Sequence, residues 1–408
     1  MPNIIEILKN RNLLHDATDE AAINLLKTGT KFYFGVDPTA PSLQIGNLVA
    51  LRSCIRLAEH GFKPIILIGG ATGSIGDPSG KSKERILLDQ EQVTKNVAKQ
   101  KTQIISLFAK FNIEIDFVNN LDWTKDIKLL SFFRDIGKHF SLSYMLQKET
   151  VKSRVDTSGI SFTEFSYMLL QAFDFLTLYE QKDCKLQVGG SDQWGNITAG
   201  LELIRRKAGG QAYALSFPLL LDKNGKKFGK TENGTIWLDP EMTSPYELHQ
   251  FLINTDDSEV INYLKIFTNL NELELKELET ATNEKPELRS AQNILADSVC
   301  ELIHGTEALK TAKASATVLF GGSIEEDVPS WSTQKSEIKE MNPIDLFSNS
   351  GAVNSKADAK RLLKEGGLYI NNLRVTDGQE QLANTEFLNR DIVLLRTGKK
   401  KYRLITID

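Results

Sequence analysis

The stretch FYFGVDPTAPSLQIGNLVALRSCIRLAEHGFKPIILIGG, residues 32–70, decides the fold of this chain. Two runs of β-branched and aromatic residues, 32–37 and 64–70, end in turn residues and predict two strands. Between them, apolar side chains recur at the spacing of one helix face: Leu48, Leu51 and Ile55. A strand, a helix and a strand in this order predict a right-handed crossover and a parallel sheet.

Two further runs extend this pattern. IEIDFV at 113–118 and KLQVGG at 185–190 have the composition of strands, and helical patterns lie between the runs. We therefore predict an α/β fold with a parallel sheet. In such open sheets ligands bind beyond the carboxyl ends of the strands, so the chemistry is expected after Gly35, Gly70 and Gly190.

The composition is that of a globular protein. The chain has 408 residues, so at roughly 150 residues per domain we expect two or three domains. Its net charge of −4 means that any nucleic acid must be bound by a local basic surface. Three scattered cysteines and five dispersed histidines predict neither a disulfide framework nor a metal site. Because no apolar run reaches the ~20 residues of a membrane span and the N-terminus lacks a signal pattern, we expect a cytoplasmic protein without a membrane partner.

The residue pattern changes along the chain and predicts four parts. Residues 1–238 contain the alternating strands and helices, and residues 239–320 consist almost entirely of helical patterns. Residues 321–341 are polar, acidic and unpatterned, as in a linker. Residues 342–408 form a further small domain.

That last domain is predicted to combine one helix with strands. Ser355 and Asp358 make a capping box for a helix through Lys364. LYINNLRV at 368–375 predicts a hairpin around an Asn-Asn turn, and DIVLLRTG and YRLITI predict two more strands. Residues 350–408 hold eleven Lys/Arg and seven Asp/Glu, a net charge of +4 (11 − 7). This modest excess is compatible with a solvated surface or with bound RNA.

Two glycine-containing segments follow the first two predicted strands. In the first, a helix starts near Gly46, and the unpaired N–H groups of a helix N-terminus attract phosphate. The second, at 68–85, contains five glycines. In it Asp77 could pair with a ligand ammonium group, and Lys81 and Arg85 with phosphates. Each segment taken alone could also be an ordinary turn of an α/β protein.

A helical pattern at 166–175, SYMLLQAFDF, carries polar residues on one face. Tyr167, Gln171 and Asp174 lie at i, i+4 and i+7 among apolar neighbours. Burying them is costly unless they meet a polar ligand or one another. This helix is therefore either the floor of a pocket for a small polar molecule or part of a hydrogen-bonded core network.

Two later segments add polar groups. LQVGGSDQWGNITAG, at 186–200, places Gln187, Asp192 and Gln193 at the end of a strand, where a carboxylate suits ribose hydroxyls. DKNGKKFGKTENG, at 222–234, contains three clustered cations, Lys226, Lys227 and Lys230, with Thr231 beside them. A mobile cationic loop can close over phosphates and stabilise developing charge, although such a run is more often a solvated loop.

Together these segments resemble tyrosyl-tRNA synthetase of the bacterial type. GGSDQWGNIT at 189–198 and the Tyr-Gln-Asp helix are specific to that family, and KFGKT at 227–231 matches its second signature, KMSKS. The resemblance runs over the whole chain. It implies a class I, Rossmann-type catalytic domain at 1–238 with a dimer-interface insertion. It also implies a helical domain at 239–320 that binds the anticodon arm and an S4-like RNA-binding domain at 342–408.

The resemblance implies a reaction in two steps. The carboxylate of L-tyrosine attacks the α-phosphorus of ATP, and a terminal ribose hydroxyl of tRNA(Tyr) then takes the tyrosyl group from the adenylate. Orientation and charge stabilisation supply the catalysis, so no protein nucleophile is expected. ATP is a substrate and carries Mg²⁺. A homodimer is implied because 132–145 and Phe162 match the family's subunit interface.

The resemblance also implies roles for single residues. Those matched to tyrosine binding are Tyr33, Asp77, Tyr167, Gln171, Asp174, Gln187 and Gln193, with Tyr33 and Asp174 at the phenol. Those matched to ATP binding are Asp37, Gly46, Asp192 and Lys230. Those matched to catalysis are Thr39, Gln44, Asn47, Lys81, Arg85, Lys227, Lys230 and Thr231. Those matched to tRNA binding are Lys356, Lys360, Arg361, Lys364 and Arg374.

One motif departs from the family pattern. The first signature, H-I-G-H, reads Gln44-Ile45-Gly46-Asn47 here, so amides replace both histidines. Gln44 can donate an N–H to a phosphate oxygen but carries no positive charge, so we expect an active enzyme with slower adenylate formation. The alternatives are an RNA-binding paralogue without aminoacylation, a small-molecule nucleotidyltransferase of similar fold, and the tryptophan enzyme.

Overall fold

The computed structural model describes residues 3–79, 87–157, 159–221, 225, 227–231, 234–319, 330–371, 373–376, 378, 382, 392–398 and 401–407. The chain divides into two compact units. The first consists of Met1–Leu238 and Asp256–Ala291, and the second of Asp239–Thr255 and Gln292–Asp408. The helical stretch at 239–320 is thus shared between the units, which its uniform helical pattern does not reveal.

Both units combine helices with β-sheet. The described helices are α1 Ile4–Asn10, α2 Glu20–Asn24, α3 Ile45–Glu59, α4 Gln90–Ala109, α5 Leu121–Thr124, α6 Leu129–Asp135, α7 Leu142–Leu146, α8 Glu149–Val155, α9 Phe162–Lys182, α10 Trp194–Leu203, α11 Pro245–Ile253, α12 Asp257–Phe267, α13 Glu272–Glu284, α14 Ser290–His304, α15 Thr306–Leu319, α16 Lys335–Lys339, α17 Pro343–Asn349 and α18 Lys356–Lys364. The described strands are β1 Asp16–Ala17, β2 Lys31–Val36, β3 Lys63–Ile68, β4 Asp116–Asn119, β5 Cys184–Gly190, β6 Tyr213–Phe217, β7 Lys230–Thr231, β8 Gly234–Thr235, β9 Ser330–Thr333, β10 Leu368–Ile370, β11 Leu373–Arg374, β12 Ile392–Thr397 and β13 Lys401–Ile407.

The first unit is built on a six-stranded sheet in the order β1-β6-β5-β2-β3-β4. Strands β2 to β6 are parallel, and the short β1 pairs antiparallel with β6. The four predicted strands correspond to β2, β3, β4 and β5, so the predicted α/β fold with a parallel sheet is confirmed. The sequence pattern missed β1, which has two residues, and β6, whose sequence YALSF contains no β-branched residue.

The register of the sheet brings the carboxyl ends of three strands together. Val36 of β2 pairs with Ile68 of β3, and Phe34 of β2 pairs with Val188 of β5. The segments that follow these strands therefore leave the sheet at one edge. This is the edge at which the strand rule predicts ligand binding.

Helix α3 covers the sheet with the predicted apolar stripe. Leu48, Leu51 and Ile55 are all fully buried. Gln44 is the residue before the helix, and Gly61 follows its end with a φ of 101°. Since glycine adopts positive φ at little cost, Gly61 can turn the chain directly into β3.

The second unit contains a five-stranded sheet in the order β11-β10-β12-β13-β9. The predicted hairpin is present as β10 and β11, with Asn371 at a φ of 46° in its turn. Ser355 caps α18 by accepting a hydrogen bond from the N–H of Asp358, so the predicted helix through Lys364 is confirmed. Strands β12 and β13 are the two further predicted strands.

Residues 330–341 differ from the unpatterned linker predicted at 321–341. Strand β9 adds to β13 as a parallel edge strand, and α16 follows it. Ile338 is fully buried in the core of the second unit, and Trp331 packs against that core. Met341 packs against it too, so three apolar side chains anchor a segment whose composition is mostly polar. Residues 321–329 lie outside the described residues.

Neither a membrane-spanning helix nor a reactive thiol is found among the described residues. No described helix is long and apolar enough to cross a membrane. Cys54, Cys184 and Cys300 are free and buried. Burial raises the pKa of Cys184 and of Cys300 to about 12 and that of Cys54 well above its usual range, which keeps these thiols protonated.

Candidate active site

A cleft of about 340 Å³ opens where β2, β3 and β5 end. All five segments that carry the predicted chemistry contribute to its wall. The predicted residues that line it are Tyr33, Asp37, Thr39, Gln44, Gly46, Asn47, Asp77, Tyr167, Gln171, Asp174, Gln187, Asp192, Gln193, Lys227 and Lys230. Three acids from distant parts of the chain, Asp77, Asp174 and Asp192, therefore meet the lysine loop, residues 227–231, in one cleft.

Three predicted groups cannot be placed. Lys81 and Arg85 lie outside the described residues. The backbone of Thr231 pairs with β8, but its side chain is not described. The pyrophosphate contacts expected of these three groups stay predictions.

Asp174 forms the buried end of the cleft. Its Oδ2 accepts a hydrogen bond from Nδ2 of Asn120 at 3.0 Å, and its Oδ1 accepts one from Nε1 of Trp123 at 2.8 Å. Burial raises the pKa of Asp174 to about 7, and the two hydrogen bonds act in the opposite direction because they favour the carboxylate. Two hydrogen bonds thus fix the side chain of Asp174, and its pKa of about 7 means that it ionises close to neutral pH.

Sequence reasoning missed both donors to Asp174. Asn120 and Trp123 follow β4, whose carboxyl end lies at the same edge as that of β3. The strand rule, applied above to three strands, would have found Asn120 if it had also been applied to the fourth. Trp123 lies three residues further on, and no pattern in the sequence marks it.

Tyr33 and Gln187 face each other on neighbouring strands. Nε2 of Gln187 donates to the hydroxyl of Tyr33 at 2.6 Å, and the ring of Tyr33 lies 5.4 Å from that of Phe175. Burial, and then the charge of Asp174, raise the pKa of Tyr33 well above its usual range. Tyr33 therefore stays neutral, and its O–H remains a donor. The buried Oε1 of Gln187 has no hydrogen-bond partner among the described residues.

A hydrogen-bond chain connects Asp174 with Asp37. Nδ2 of Asn120, which donates to Asp174, also donates to the hydroxyl of Thr72 at 3.0 Å. Thr72 donates to Oδ1 of Asp37 at 2.7 Å, and the hydroxyl of Tyr167 donates to its Oδ2 at 2.8 Å. Burial raises the pKa of Tyr167 well above its usual range. The polar face of α9 is thus both a wall of the cleft and part of a buried network; that the cleft binds a small polar molecule stays a prediction.

Asp77 is the second acid of the cleft. It accepts hydrogen bonds from Nε2 of Gln193 at 2.5 Å and from the N–H of Ser79 at 3.0 Å. Nδ2 of Asn196, which sequence reasoning missed, lies 3.5 Å from its Oδ1. Gln171 lines the same cleft, and its buried Oε1 has no partner among the described residues. A carboxylate and an unpaired amide oxygen together suit a ligand cation.

Asp192 lies beside the lysine loop. Nζ of Lys227 is 3.5 Å from its Oδ2. Burial raises the pKa of Asp192, and Lys227 opposes that rise. Nζ of Lys230 donates to the hydroxyl of Thr235 at 2.8 Å, and the pKa of Lys230 is lowered by burial and by the charge of Lys227. The loop thus presents two cations next to one carboxylate.

The Gln-Ile-Gly-Asn signature forms the start of α3. Oδ1 of Asn47 accepts the N–H of Gln44 at 2.9 Å. The N–H of Ile45 donates to the carbonyl of Ile236 at 3.0 Å, so the segment after the lysine loop pairs with the signature. A β-carbon on Gly46 would lie 3.4 Å from the carbonyl oxygen of Phe228. The lysine loop therefore lies close to Gly46 but leaves room for a β-carbon there, and the predicted approach of a nucleotide stays a prediction.

The residues matched to tRNA binding lie in the second unit. Lys356, Lys360, Arg361 and Lys364 are on α18 and Arg374 is on β11, and all five are exposed. Nζ of Lys356 is 2.6 Å from Asp345, and Arg361 lies 3.5 Å from both Asp358 and Glu365. Such exposed ion pairs are weak, so these cations can still turn to phosphate.

Comparison with known proteins identifies the family. A family model described as class I tRNA synthetases (W and Y) matches residues 27–321, and one described as the tyrosine–tRNA ligase SYY-like C-terminal domain matches residues 322–405. The tyrosine–tRNA ligases of Roseiflexus castenholzii and Bacillus velezensis are 45% and 46% identical to this chain, each over 100% of both chains. The chain belongs to the tyrosine–tRNA ligase family.

The structural comparison agrees with this family. A C-terminally truncated mitochondrial tyrosyl-tRNA synthetase of Aspergillus nidulans superposes with a TM-score of 0.70 at 31% identity. The match covers 78% of this chain and 95% of that one. The resemblance drawn from the sequence segments is therefore confirmed. A nucleotidyltransferase without the C-terminal part does not fit the full-length matches with the tyrosine–tRNA ligases.

Proposed function

We propose that this chain carries out the complete reaction of its family. It activates L-tyrosine with ATP and transfers the tyrosyl group to the terminal ribose of tRNA(Tyr). The observation that supports this most directly is the convergence of Asp77, Asp174 and Asp192 with Lys227 in one cleft. A paralogue that only bound RNA would have no use for such a pocket.

The buried end of the cleft is proposed to read the phenol. The hydroxyl of tyrosine would donate to the Asp174 carboxylate and accept from the O–H of Tyr33. Phenylalanine would leave the O–H of Tyr33 without an acceptor and take one donor from the Asp174 carboxylate, and an unpaired buried polar group costs about 1–3 kcal/mol. This arrangement favours tyrosine over phenylalanine and over the indole of tryptophan, whose N–H cannot accept a hydrogen bond.

The middle of the cleft is proposed to bind the amino-acid head. Asp77, Tyr167 and the unpaired oxygen of Gln171 are acceptors for the α-ammonium group. Gln193, which donates to Asp77, is proposed to border the carboxyl group, whereas Gln187 donates to Tyr33 and is proposed to border the ring. Five groups that hold one small molecule reduce its freedom before reaction, which lowers the barrier of a step without a protein nucleophile.

The outer part of the cleft is proposed to bind ATP, which enters with its Mg²⁺ as a substrate complex. Asp192 would accept from ribose hydroxyls, and Asp37 and Gly46 would border the nucleotide. Among the described residues, no group of three or more His, Cys, Asp or Glu is placed to hold a metal ion. The phosphates themselves are therefore the proposed ligands of Mg²⁺.

The phosphate contacts are proposed to come from the α3 start and the lysine loop. Thr39 and Gln44, which precede α3, and Asn47, in its first turn, would face the phosphates from one side, and Lys227 and Lys230 would face them from the loop. Lys81, Arg85 and Thr231 are proposed to join them. Positive groups aimed at the charge that develops on the α-phosphorus and on leaving pyrophosphate lower the barrier.

Tyrosine-dependent exchange of pyrophosphate into ATP tests the activation step. Tyrosine should support exchange and phenylalanine should not. Asp174→Asn should lower the tyrosine-dependent rate roughly 10–100-fold, since it removes a hydrogen bond to a charged group. Asp116→Asn is a matched control, because Asp116 lies on the same sheet but is 43% exposed and pairs with Lys182. Equal exchange with tyrosine and phenylalanine, or none with either, would contradict the proposal.

The transfer step involves the second unit and the helical part in the proposal. Residues 239–320 are proposed to bind the anticodon arm, and the S4-like domain at 342–408 to bind RNA through the exposed cations of α18 and β11. Aminoacylation of a tRNA(Tyr) transcript tests this step. Because tRNA charging supplies translation, the proposed location is the cytoplasm.

A homodimer completes the proposal. Leu130, Leu142 and Phe162, in and beside the segment that matches the family interface, are 81%, 68% and 71% exposed. Several large apolar side chains exposed together mark an interaction surface. Sedimentation should find a dimer for the parent and a monomer for Leu130→Asp. Leu25→Asp is the control, because Leu25 is 82% exposed and lies outside this surface; a monomeric parent would exclude the dimer.

A further inference from the structure

The lysine loop carries one aromatic side chain, and it is buried. Phe228 is 7% exposed, and its ring lies against two rings of α12. The ring centroids of Phe228 and Tyr263 are 4.7 Å apart with the rings edge to face, and those of Phe228 and Phe267 are 5.7 Å apart with the rings stacked. Tyr263 and Phe267 meet edge to face at 6.4 Å. We call these three rings the aromatic seat; both geometries are favourable for aromatic pairs.

Helix α12 is itself fixed to α3 by two buried arginines. Arg52 donates to Oδ1 of Asn269 at 2.7 Å. Arg56 donates to three carbonyl oxygens at the end of α12: Lys265 at 3.3 Å, Ile266 at 3.3 Å and Thr268 at 2.6 Å. A helix C-terminus leaves such carbonyls unpaired and favours a cation. Burial lowers the pKa of Arg56 to about 9, a cost that these bonds offset.

The backbone of the lysine loop is fixed as well. The N–H of Phe228 donates to the carbonyl of Leu220, and the N–H of Ile236 donates to that of Gly229, each at 2.9 Å. Gly229 has a φ of 83°, and a β-carbon there would collide with the γ-methyl group of Ile45. Ile45 is the first residue of α3. The lysine loop therefore packs against the start of α3 through Gly229 and against α12 through Phe228. Helix α3 in turn contacts the end of α12 through its two arginines.

We propose that the aromatic seat positions the lysine loop: Phe228, held by Tyr263 and Phe267, sets where Lys227 and Lys230 stand over the cleft and thereby supports the rate of tyrosyl-adenylate formation. This inference rests on the proposed function. The three rings act through the lysines and are positioning residues. A displacement of about 1 Å at a reacting group can lower a rate on the order of 10²-fold. The groups proposed to bind tyrosine lie on other elements, so tyrosine affinity should not depend on the seat.

The first test needs no substrate. Hydrogen exchange is measured at the amides of Phe228, Lys230 and Ile236 in the parent, in Phe228→Ala and in Phe267→Leu. Both variants should exchange faster at these amides than the parent, while the amides of β2 and β3 stay protected. Unchanged exchange at the loop in both variants would overturn the inference, whether or not the protein activates tyrosine. Phe267→Leu keeps an apolar side chain at this site, so the test does not depend on Phe228→Ala alone.

The second test compares activation with tyrosine binding. Phe228→Ala should lower tyrosine-dependent pyrophosphate exchange on the order of 10²-fold with an unchanged dissociation constant for tyrosine. Phe228→Leu should restore most of the rate. Phe108→Leu, at an equally buried ring in the last turn of α4, controls for general loosening of the core and should behave as the parent. Equal loss of activation in Phe108→Leu, or loss of tyrosine binding in Phe228→Ala, would refute a positioning role. If the parent does not activate tyrosine, the proposed function is contradicted. The positioning of the loop by the aromatic seat is then tested by the hydrogen-exchange experiment alone.

Discussion

Replacement of Trp123 by phenylalanine should shift the pH range in which the protein binds tyrosine. Nε1 of Trp123 donates to Oδ1 of Asp174 at 2.8 Å and stabilises the carboxylate. The pKa of Asp174, about 7, is the balance between burial, which raises it, and the hydrogen bonds of Asn120 and Trp123, which lower it. The variant keeps an aromatic ring and loses one of these bonds. The pKa of Asp174 should therefore rise further.

The size of the shift follows from the bond that is lost. A hydrogen bond to a charged group contributes about 1.5–3 kcal/mol, or about one to two pKa units. Asp174 ionises as the pH rises through its pKa, so tyrosine binding strengthens with rising pH and the variant needs a higher pH. With a pKa of about 8.5 in the variant, the ionised fraction at about pH 7.5 falls from about three quarters to roughly one tenth. The affinity for tyrosine should fall roughly eightfold at that pH.

Equilibrium dialysis with labelled tyrosine from about pH 6 to pH 8.5 measures this shift. The variant's binding curve should move to higher pH, so that its deficit shrinks towards the alkaline end. Trp331→Phe makes the same substitution on β9 of the second unit and should reproduce the parent curve. A deficit of constant size at every pH would refute the electrostatic reasoning, as would curves that superimpose.

Three further predictions concern the signature, stability and RNA. Gln44→His should speed tyrosine-dependent exchange most below about pH 6.5, where imidazole is protonated, and a rate equal to the parent's would show that this position is not limiting. Arg56→Leu should lower the free energy of unfolding by about 1–3 kcal/mol, because carbonyls at the end of α12 lose their donor; calorimetry would show a lower midpoint, and an unchanged one would contradict this. Lys364→Ala should weaken tRNA binding and reduce its salt slope by about 0.7–0.9, whereas Lys95→Ala, at an exposed lysine paired with Glu91 on α4, should change neither.

Much of the fold could be predicted because its signals are local. The stripe on α3, the strand runs and the Asn-Asn hairpin each report a face that must be buried or a turn that must form. The spacing of apolar residues shows that one face of a helix is buried, but it does not show which other element that face packs against. The helical patterns at 257–267 and 292–304 look alike, yet they belong to different compact units. That division depends on long-range contacts, such as Arg56 with the end of α12, which no local pattern contains.

Most residues of the candidate site could also be predicted, because they too lie in segments with a local signal in the sequence. Residues within unusual polar or glycine-rich segments were recognisable, and the described ones line one cleft. Asn120 and Trp123 escaped because they act on Asp174 rather than on a ligand, and they lie in a segment of ordinary composition. The burial of Phe228 was not predicted either, because a single aromatic residue between lysines is typical of a solvated loop.

The altered first signature separates two tasks within the start of α3. Asn47 accepts the N–H of Gln44 at 2.9 Å and so satisfies a donor at the beginning of a helix. Any side chain with a well-placed acceptor can do this, so an amide at Asn47 removes little from the reaction. Gln44 lines the cleft, and its amide can donate to a phosphate oxygen but cannot become cationic. In the proposed ATP complex the cost of losing the histidines should therefore fall on Gln44, and the lysine loop, packed against Ile45, would bring positive charge to the same phosphates.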